Sequence, residues 1–525
     1  MAINSPGPSA AGGRTRAARG ALWLSVGSWG AKAMQTVVLL VLAKALAPSQ
    51  FGILAIAALT YNVLQAVNTL GIGDALTYLQ DRIEEASRTA LSMLLVTGLI
   101  LMGAMWALAP QIASFFHSPD STFVLRGFAI GIPFDAAAQV PIGRLTRSLS
   151  FSRRAVTDTV PSVVGAVVTI AVVLAGHPLI GLVAGQIAGS VTNYVVATTL
   201  GPWCLPGWSR EMARQLLRYG AYLSAADVVT LGLLNVDYII VGHVLGPEAL
   251  GYYSLAYRIC FMPYLSIAVV ANGAVFPYYC RLPSLRAKAR AAENTISVVN
   301  ALCVPWFAGL VLFAGDIVLL GQKWAPATGA VRFLAVYGFF LCLILSTLQV
   351  FKATGRSDLV FASRMLHLVL LTGVLIATVR YGITVVALDQ AVVAGVIALV
   401  CCLWTVRRAA LRPSALTRSV ALPLLGALGM VPVVLLLGQL PWPGSGPSWT
   451  SLLVLGTLAM IVYTAILLAV MPEPLRKGWT ALRGRSDNAD RADNTASADD
   501  AASAASSAEQ RHAGEEGGRS SQWNP

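Results

Sequence analysis

The amino-acid sequence predicts an all-α, polytopic membrane protein with about fourteen transmembrane helices. Three observations carry that prediction. Apolar stretches follow one another from about residue 21 to about residue 471, each close to the roughly 20 residues that a helix needs to cross a hydrocarbon core of about 30 Å. The stretches are continuous and lack strict alternation, which selects helices over the β-barrel, the other structure that keeps backbone groups paired in lipid. Of the 525 residues, 56% are hydrophobic and 12% charged, and the mean hydropathy is +0.69; a soluble domain carries about a quarter charged residues. What lies outside the apolar stretches is too small for a soluble catalytic domain, so no enzyme activity is expected.

Taken in order, residues 1–20 are Gly, Ala, Ser and Pro with Arg14, Arg16 and Arg19, and read as a disordered basic leader. Ala45-Leu46-Ala47 imitates a signal-peptide cleavage site, but the apolar region before it is too long and is interrupted by Lys32 and Gln35. Spans are expected at about 21–46, 51–73, 88–110, 122–143, 156–176 and 178–200, forming a first lobe over 21–200. A linker follows at 201–217. Spans at about 218–245, 249–275, 294–320, 328–350, 358–380 and 382–405 form a second lobe over 218–405, and two further helices occupy 406–471, at about 417–439 and 449–471. Boundaries of this kind are good to about four residues. Residues 472–525 lose the apolar runs and are expected to be a disordered tail.

Charge sets the expected orientation. The formal net charge is +13, spread over short loops and not gathered in a patch for nucleic acid. With the N-terminus placed inside, inside segments collect Arg14, Arg16 and Arg19; Arg82 and Arg88; Arg144, Arg147, Arg153 and Arg154; Arg210, Arg214 and Arg218; Arg281, Arg286, Lys288 and Arg290; Lys352 and Arg356; Arg407, Arg408 and Arg412; and Arg476, Lys477, Arg483 and Arg485. The outside loops keep little beyond Lys44, Lys323 and Arg380. The positive-inside rule then puts both termini in the cytoplasm.

The lobes also echo each other. Leu46-Ala47-Pro48-Ser49-Gln50-Phe51-Gly52 returns as Leu245-Gly246-Pro247-Glu248-Ala249-Leu250-Gly251, 199 residues later. Gly181-Leu182-Val183-Ala184 with Gln186 returns as Thr384-Val385-Val386-Ala387 with Gln390, and Leu125-Arg126 as Val331-Arg332. An even number of spans separates the copies, so the repeats are parallel, a design that places a transport site between two bundles. The seven cysteines lack Cys-x-x-Cys spacing and lie mostly in or beside apolar spans, so they read as small apolar fillers, with no metal site and no cofactor expected.

The first outside turn, Leu46 to Gly52, resembles the polysaccharide transporter, or Wzx-type lipid-linked oligosaccharide flippase, branch of the multidrug/oligosaccharidyl-lipid/polysaccharide (MOP) exporter superfamily. So do Asn235-Val236-Asp237-Tyr238-Ile239-Ile240-Val241-Gly242 leading into Gly251-Tyr252-Tyr253, and Val140-Pro141 with Arg147-Ser148-Leu149-Ser150-Phe151-Ser152-Arg153-Arg154-Ala155. The likeness spans about residues 20–471 and rests on structural turns, not chemical signatures. It implies two parallel six-helix lobes around a cavity plus two C-terminal helices. It also implies a flippase that carries a polyprenyl-diphosphate-linked oligosaccharide from the inner to the outer leaflet of a bacterial plasma membrane by alternating access, for cell-surface polysaccharide such as lipopolysaccharide or exopolysaccharide. A polysaccharide polymerase or glycosyltransferases are the implied pathway partners; nucleic acid is not.

Charged residues inside spans are costly and mark function or pairing. The basic candidates for a cationic, substrate-binding cavity are Lys32, Arg126, Arg258, Arg332 and Arg364. Lys32 and Arg258 lie deepest, about 15 Å from the nearer helix end. Arginine binds phosphate bidentately, which suits an anionic lipid-diphosphate head. For Arg258 an ion pair with Asp237 is an equally good reading; for Arg126, Arg332 and Arg364, nearer helix ends, so is an interfacial anchor. Asp135, Asp227 and Asp237 are candidates for cation coupling or for ion pairs, with Asp158, Asp316 and Asp389 behind them. Asn62, Gln65 and Asn68 fall near one helix face and line a cavity or act as interhelical glue worth about 0.6 kcal/mol each. Tyr61, Tyr222, Tyr257 and Tyr264 stack on sugars or pack at the interface. Rival readings are a cation-coupled drug or metabolite exporter, which favours an acidic cavity; a membrane polymerase or glycosyltransferase, which needs larger outside loops; and a scaffold. No Walker-type phosphate loop is present, which argues against direct ATP drive.

Overall fold

The computed structural model describes residues 34, 36–69, 82–148, 150–409, 411–437 and 449–470. The expected leader at 1–20 and tail at 472–525 lie outside them, as do Lys32 and Gln35. The chain divides into two compact units, Met1–Met460 and Ile461–Pro525. The described residues of the second, 461–470, belong to the helix Trp449–Val470; the packing and the site described below concern the first.

The described residues are mostly helical and include no strand. In chain order they form α1 (Thr36–Ala45), α2 (Pro48–Thr69), α3 (Ile83–Phe115), α4 (Ser121–Arg147), α5 (Phe151–Leu174), α6 (Pro178–Leu200), α7 (Arg210–Pro263), a π-helical turn (Tyr264–Val269), α8 (Val270–Cys280) and α9 (Leu285–Leu312). Two 3-10 segments, Ala314–Leu320 and Gln322–Ala327, lead to α10 (Thr328–Ala353), α11 (Ser357–Thr378), α12 (Ile383–Ala409), α13 (Pro413–Leu428), α14 (Met430–Leu437) and α15 (Trp449–Val470).

Twelve helices among the described residues are long and apolar enough to cross a membrane, against the fourteen the sequence predicts. Two places account for the difference. Only Thr36–Ala45 of the first stretch is described as helix, too short to count. The expected spans at 218–245 and 249–275 run together into one helical stretch, Thr230–Cys280. The Gly-Pro turn read between them is a kink: Gly246 takes φ 84°, ψ 178°, a conformation open to glycine for want of a Cβ. Pro247 then follows as the first helical residue, where its missing N–H costs nothing. The span expected at 294–320 is α9, ending at Leu312, with 3-10 turns carrying the chain on. Prolines inside α3, α4, α5 and α9 (Pro110, Pro133, Pro141, Pro161 and Pro305) leave these helices unbroken, as neighbouring helices permit in a bilayer.

Packing follows the chain in two groups. Before residue 201, α3 packs on α4, α4 on α2 and α6, and α5 on α6. After residue 230, α10 packs on α7, α9 and α12, and α11 on α12. The main contact between the groups is α2 against α7. The linker does not hang free: Met212, Ala213, Leu216 and Cys204 join a buried cluster with Ala90, Leu94, Ala136 and Val140 of the first group.

A candidate cargo cavity between two helix groups

A cavity of about 1010 Å³ lies between α1, α2, α4, α5 and α6 on one side and the two arms of α7 on the other. The wall contributed before residue 200 is hydroxyl- and amide-rich: Asn62, Asp135, Thr157, Asp158, Ser162, Thr169, Gln186, Ser190 and Asn193. The α7 wall carries Arg258 and Asn235 among Leu231, Leu234, Tyr238, Tyr257, Phe261 and Met262, with Leu265 of the π-helical turn beside them.

Asp135 is the hub of the first wall. Its Oδ2 accepts from the Tyr61 hydroxyl and from Ser190 Oγ at 2.6 Å, and its Oδ1 accepts from Asn193 Nδ2 at 2.7 Å. Gln65 donates to the Tyr61 oxygen at 2.9 Å, and Gln186 to Ser190 Oγ at 3.3 Å. The donors come from α2 and α6, so the carboxylate ties three helices together with neutral groups alone. Asp158, at the other end of the same wall, is paired with Arg154 at 3.2 Å, one helical turn away.

Arg258 lines the opposite wall. Its guanidinium carbon lies 5.7 Å from the Phe51 ring centre, a cation–π arrangement, beside the Tyr238 hydroxyl. It makes no ion pair with Asp237. That carboxylate is fully buried and accepts from Tyr253 Oη at 2.7 Å and Gln390 Nε2 at 2.8 Å, so its hydrogen-bonding capacity is spent within the second helix group.

One end of the interface between the groups is sealed. The two copies of the repeated turn meet there reciprocally: a Cβ on Gly52 would sit 1.7 Å from the Pro247 carbonyl oxygen, and one on Gly251 would sit 1.9 Å from that of Pro48. Only glycine allows backbones so close. The C-terminal end of α1, whose last carbonyls lack helical partners, is capped from the other group. Trp324 Nε1 donates to Ala43 O at 2.7 Å, and Lys323 Nζ to Lys44 O at 2.8 Å and Leu46 O at 2.6 Å. Trp324 packs edge-on against Phe51 at 5.5 Å. His243 of α7 stacks on Phe115, centroids 4.1 Å apart, and its Nδ1 lies 2.7 Å from Phe115 O.

The remaining residues singled out in the sequence fall as follows. Lys32 is outside the described residues, and Asp227 lies on α7 where the side chains are not described. Arg126 is on α4 against exposed Trp106, its Nε 3.5 Å from Trp106 O and its guanidinium 5.7 Å from the indole. Arg332 is exposed one turn into α10. Arg364 donates to Thr230 Oγ1 at 2.7 Å. None of these three arginines is on the cavity lining; their helices turn them toward the outer surface or a neighbouring helix, so the cationic set read from the sequence is not gathered in one place. Asn62 lines the cavity and Gln65 supports Tyr61, whereas Asn68 is fully buried and points toward Gly98 of α3. Tyr257 and Tyr264 join an aromatic row through Phe261, centroids 5.0 and 4.8 Å apart. Sequence reasoning weighed Tyr61 as a stacking or interfacial ring and not as a hydrogen-bond donor, missed Ser190, and saw Lys323 only as a stray outside charge. The invisible link in each case is the partner from a distant helix.

The chain is similar to several known proteins. The succinoglycan biosynthesis transport protein ExoT of Rhizobium meliloti is 22% identical over 475 residues, covering 89% of this chain and 96% of ExoT. The lipid II flippase MurJ, in an inward closed conformation, superposes with TM-score 0.72 at 13% identity, over 86% of this chain and 100% of MurJ. An inward-facing MATE-family multidrug resistance transporter of the MOP superfamily follows at TM-score 0.56 and 16% identity, over 72% and 94%. The fold is therefore that of the MOP exporters. Residues 41–329 match the family described as polysaccharide biosynthesis protein, more than half of the sequence, and the chain belongs to that family.

Proposed function

We propose that this protein is a flippase that moves a polyprenyl-diphosphate-linked oligosaccharide from the inner to the outer leaflet of a bacterial plasma membrane by alternating access, with both termini in the cytoplasm. The observation that carries the reading is the two-sided cavity. A half-buried arginine on the α7 wall suits a diphosphate, and the opposite wall of amides and hydroxyls suits sugar hydroxyls. Its volume is in the range of sites that enclose a drug-sized molecule or larger. The names of the relatives agree in kind: ExoT is a transport protein of polysaccharide biosynthesis and MurJ a lipid II flippase. The sealed end carries the Pro48 and Pro247 turns, which the positive-inside count puts outside, so this conformation is the one closed to the outside. The two helix groups act as the rocking lobes, and the cargo is passed to a polymerase or to glycosyltransferases outside this chain.

The test is leaflet sidedness of a labelled polyprenyl-diphosphate saccharide in vesicles holding the purified protein. Time-dependent appearance of label in the opposite leaflet, lost in Arg258→Ala, is the expected result. Label that stays in its starting leaflet refutes the reading. A second reading, export of a cationic small molecule, draws on Asp135 and Asp158 in the lining; it requires uptake of an organic cation by the same vesicles.

A further inference from the structure

We propose that the cavity sorts cargo by charge within its sugar part: Asp135 receives a neutral sugar and turns away one that carries a carboxylate. The inference rests on the flippase reading and adds the substrate class. Among the described lining residues, the charges are divided between the walls, Arg258 on α7 and Asp135 and Asp158 opposite. A diphosphate held by Arg258 leaves the sugar to face the Asp135 wall.

The hydrogen bonding there is one-directional. Tyr61, Ser190 and Asn193 all donate to Asp135. A sugar hydroxyl both donates and accepts, so it can enter this chain by donating to the carboxylate and accepting from the second N–H of Asn193. A sugar carboxylate offers acceptors only. It has no proton to donate to Asp135, and it adds a second negative charge in a partly desolvated site, where like charges repel far more than in water. Asp158 does not share the task, because Arg154 compensates it at 3.2 Å. Arg258 could take a sugar carboxylate only by giving up the diphosphate. Placing an acid where one class of cargo must fit and another must not is how a site gains specificity by repulsion.

The experiment measures equilibrium binding to the purified full chain in nanodiscs. The probes are farnesyl diphosphate joined to N-acetylglucosamine and the same carrier joined to glucuronic acid. The wild type should bind the neutral probe about tenfold more tightly or better. Asp135→Asn should bring the two within about twofold, and Asn193→Asp, which adds a carboxylate to the same wall, should widen the gap, so the proposal can be tested even if one variant fails to fold. Equal affinities in the wild type, a preference that survives in Asp135→Asn, or binding of neither probe overturns the proposal. Discrimination in binding together with no translocation in the leaflet assay supports this inference and overturns the flippase reading instead.

Discussion

Replacing Gly251 with alanine should push the sealed end of the interface open. The added methyl carbon would fall 1.9 Å from the carbonyl oxygen of Pro48, and the mirror change at Gly52 would put one 1.7 Å from that of Pro247. Carbon and oxygen need about 3.3 Å even in close Cα–H···O contacts, so the backbones must part by about 1.5 Å. Neither obstacle is a side-chain tip that can swing away; both are backbone at the first turn of a helix. Overpacking of this kind costs about 1–3 kcal/mol, which displaces a two-state equilibrium by roughly 5- to 150-fold toward the form with the seam parted. The assay is cross-linking of a cysteine pair at Ser49 and Glu248, next to the two prolines, in a background with the native cysteines replaced. Yield should fall sharply in Gly251→Ala and in Gly52→Ala. Gly103→Ala, on α3 with nothing within 4 Å of the added atom, serves as the control and should leave it unchanged. Full cross-linking yield in folded Gly251→Ala and Gly52→Ala would refute the reasoning, because the seal would then not depend on the close approach.

The other predictions follow from single partners. Trp324→Phe keeps the ring against Phe51 but leaves the buried Ala43 carbonyl without its 2.7 Å donor, and should lower stability by about 1–3 kcal/mol, read as a drop in thermal midpoint in detergent. Arg258→Ala should slow translocation at least tenfold, while Arg126→Ala, beside Trp106 and off the cavity lining, should leave the rate within about twofold. Asp237→Asn places an amide where Tyr253 and Gln390 both donate, and should cost about 1–3 kcal/mol, read in the thermal midpoint and not first in translocation.

The fold was legible because a bilayer imposes one rule on every residue in a span. Length and hydropathy are sufficient to find α3 to α6 and α10 to α12 to about five residues, whereas the span expected at 294–320 is displaced from α9 by eight or nine. The Gly246-Pro247 pair also announced a change of direction. What it withheld was the size of that change, since a Gly at positive φ followed by Pro at a helix start serves a kink as well as a loop. The repeated turn was readable as a repeat but not as a contact: two sequences 199 residues apart say nothing about whether their glycines face each other.

The site was less legible, for a reason particular to membrane helices. Hydropathy tells how deep a charge lies but not which way it points, because lipid, a neighbouring helix and a cavity are all compatible with the same apolar context. Arg126 and Arg258 both stand among apolar residues, the first nearer a helix end and the second deeper, but only the structure shows that one rests on an exposed tryptophan and the other lines the hollow. Buried acids follow the same logic. Asp135 and Asp237 are both carboxylates within spans, and neither uses an arginine; each is held by neutral hydroxyl and amide donors, Tyr61, Ser190 and Asn193 for one, Tyr253 and Gln390 for the other. Neutral donors satisfy a carboxylate's lone pairs without cancelling its charge. The difference between the two acids is therefore access. Asp237 is sealed inside the second helix group, where its charge can only organise packing, while Asp135 borders the cavity, where the same chemistry remains available to whatever enters.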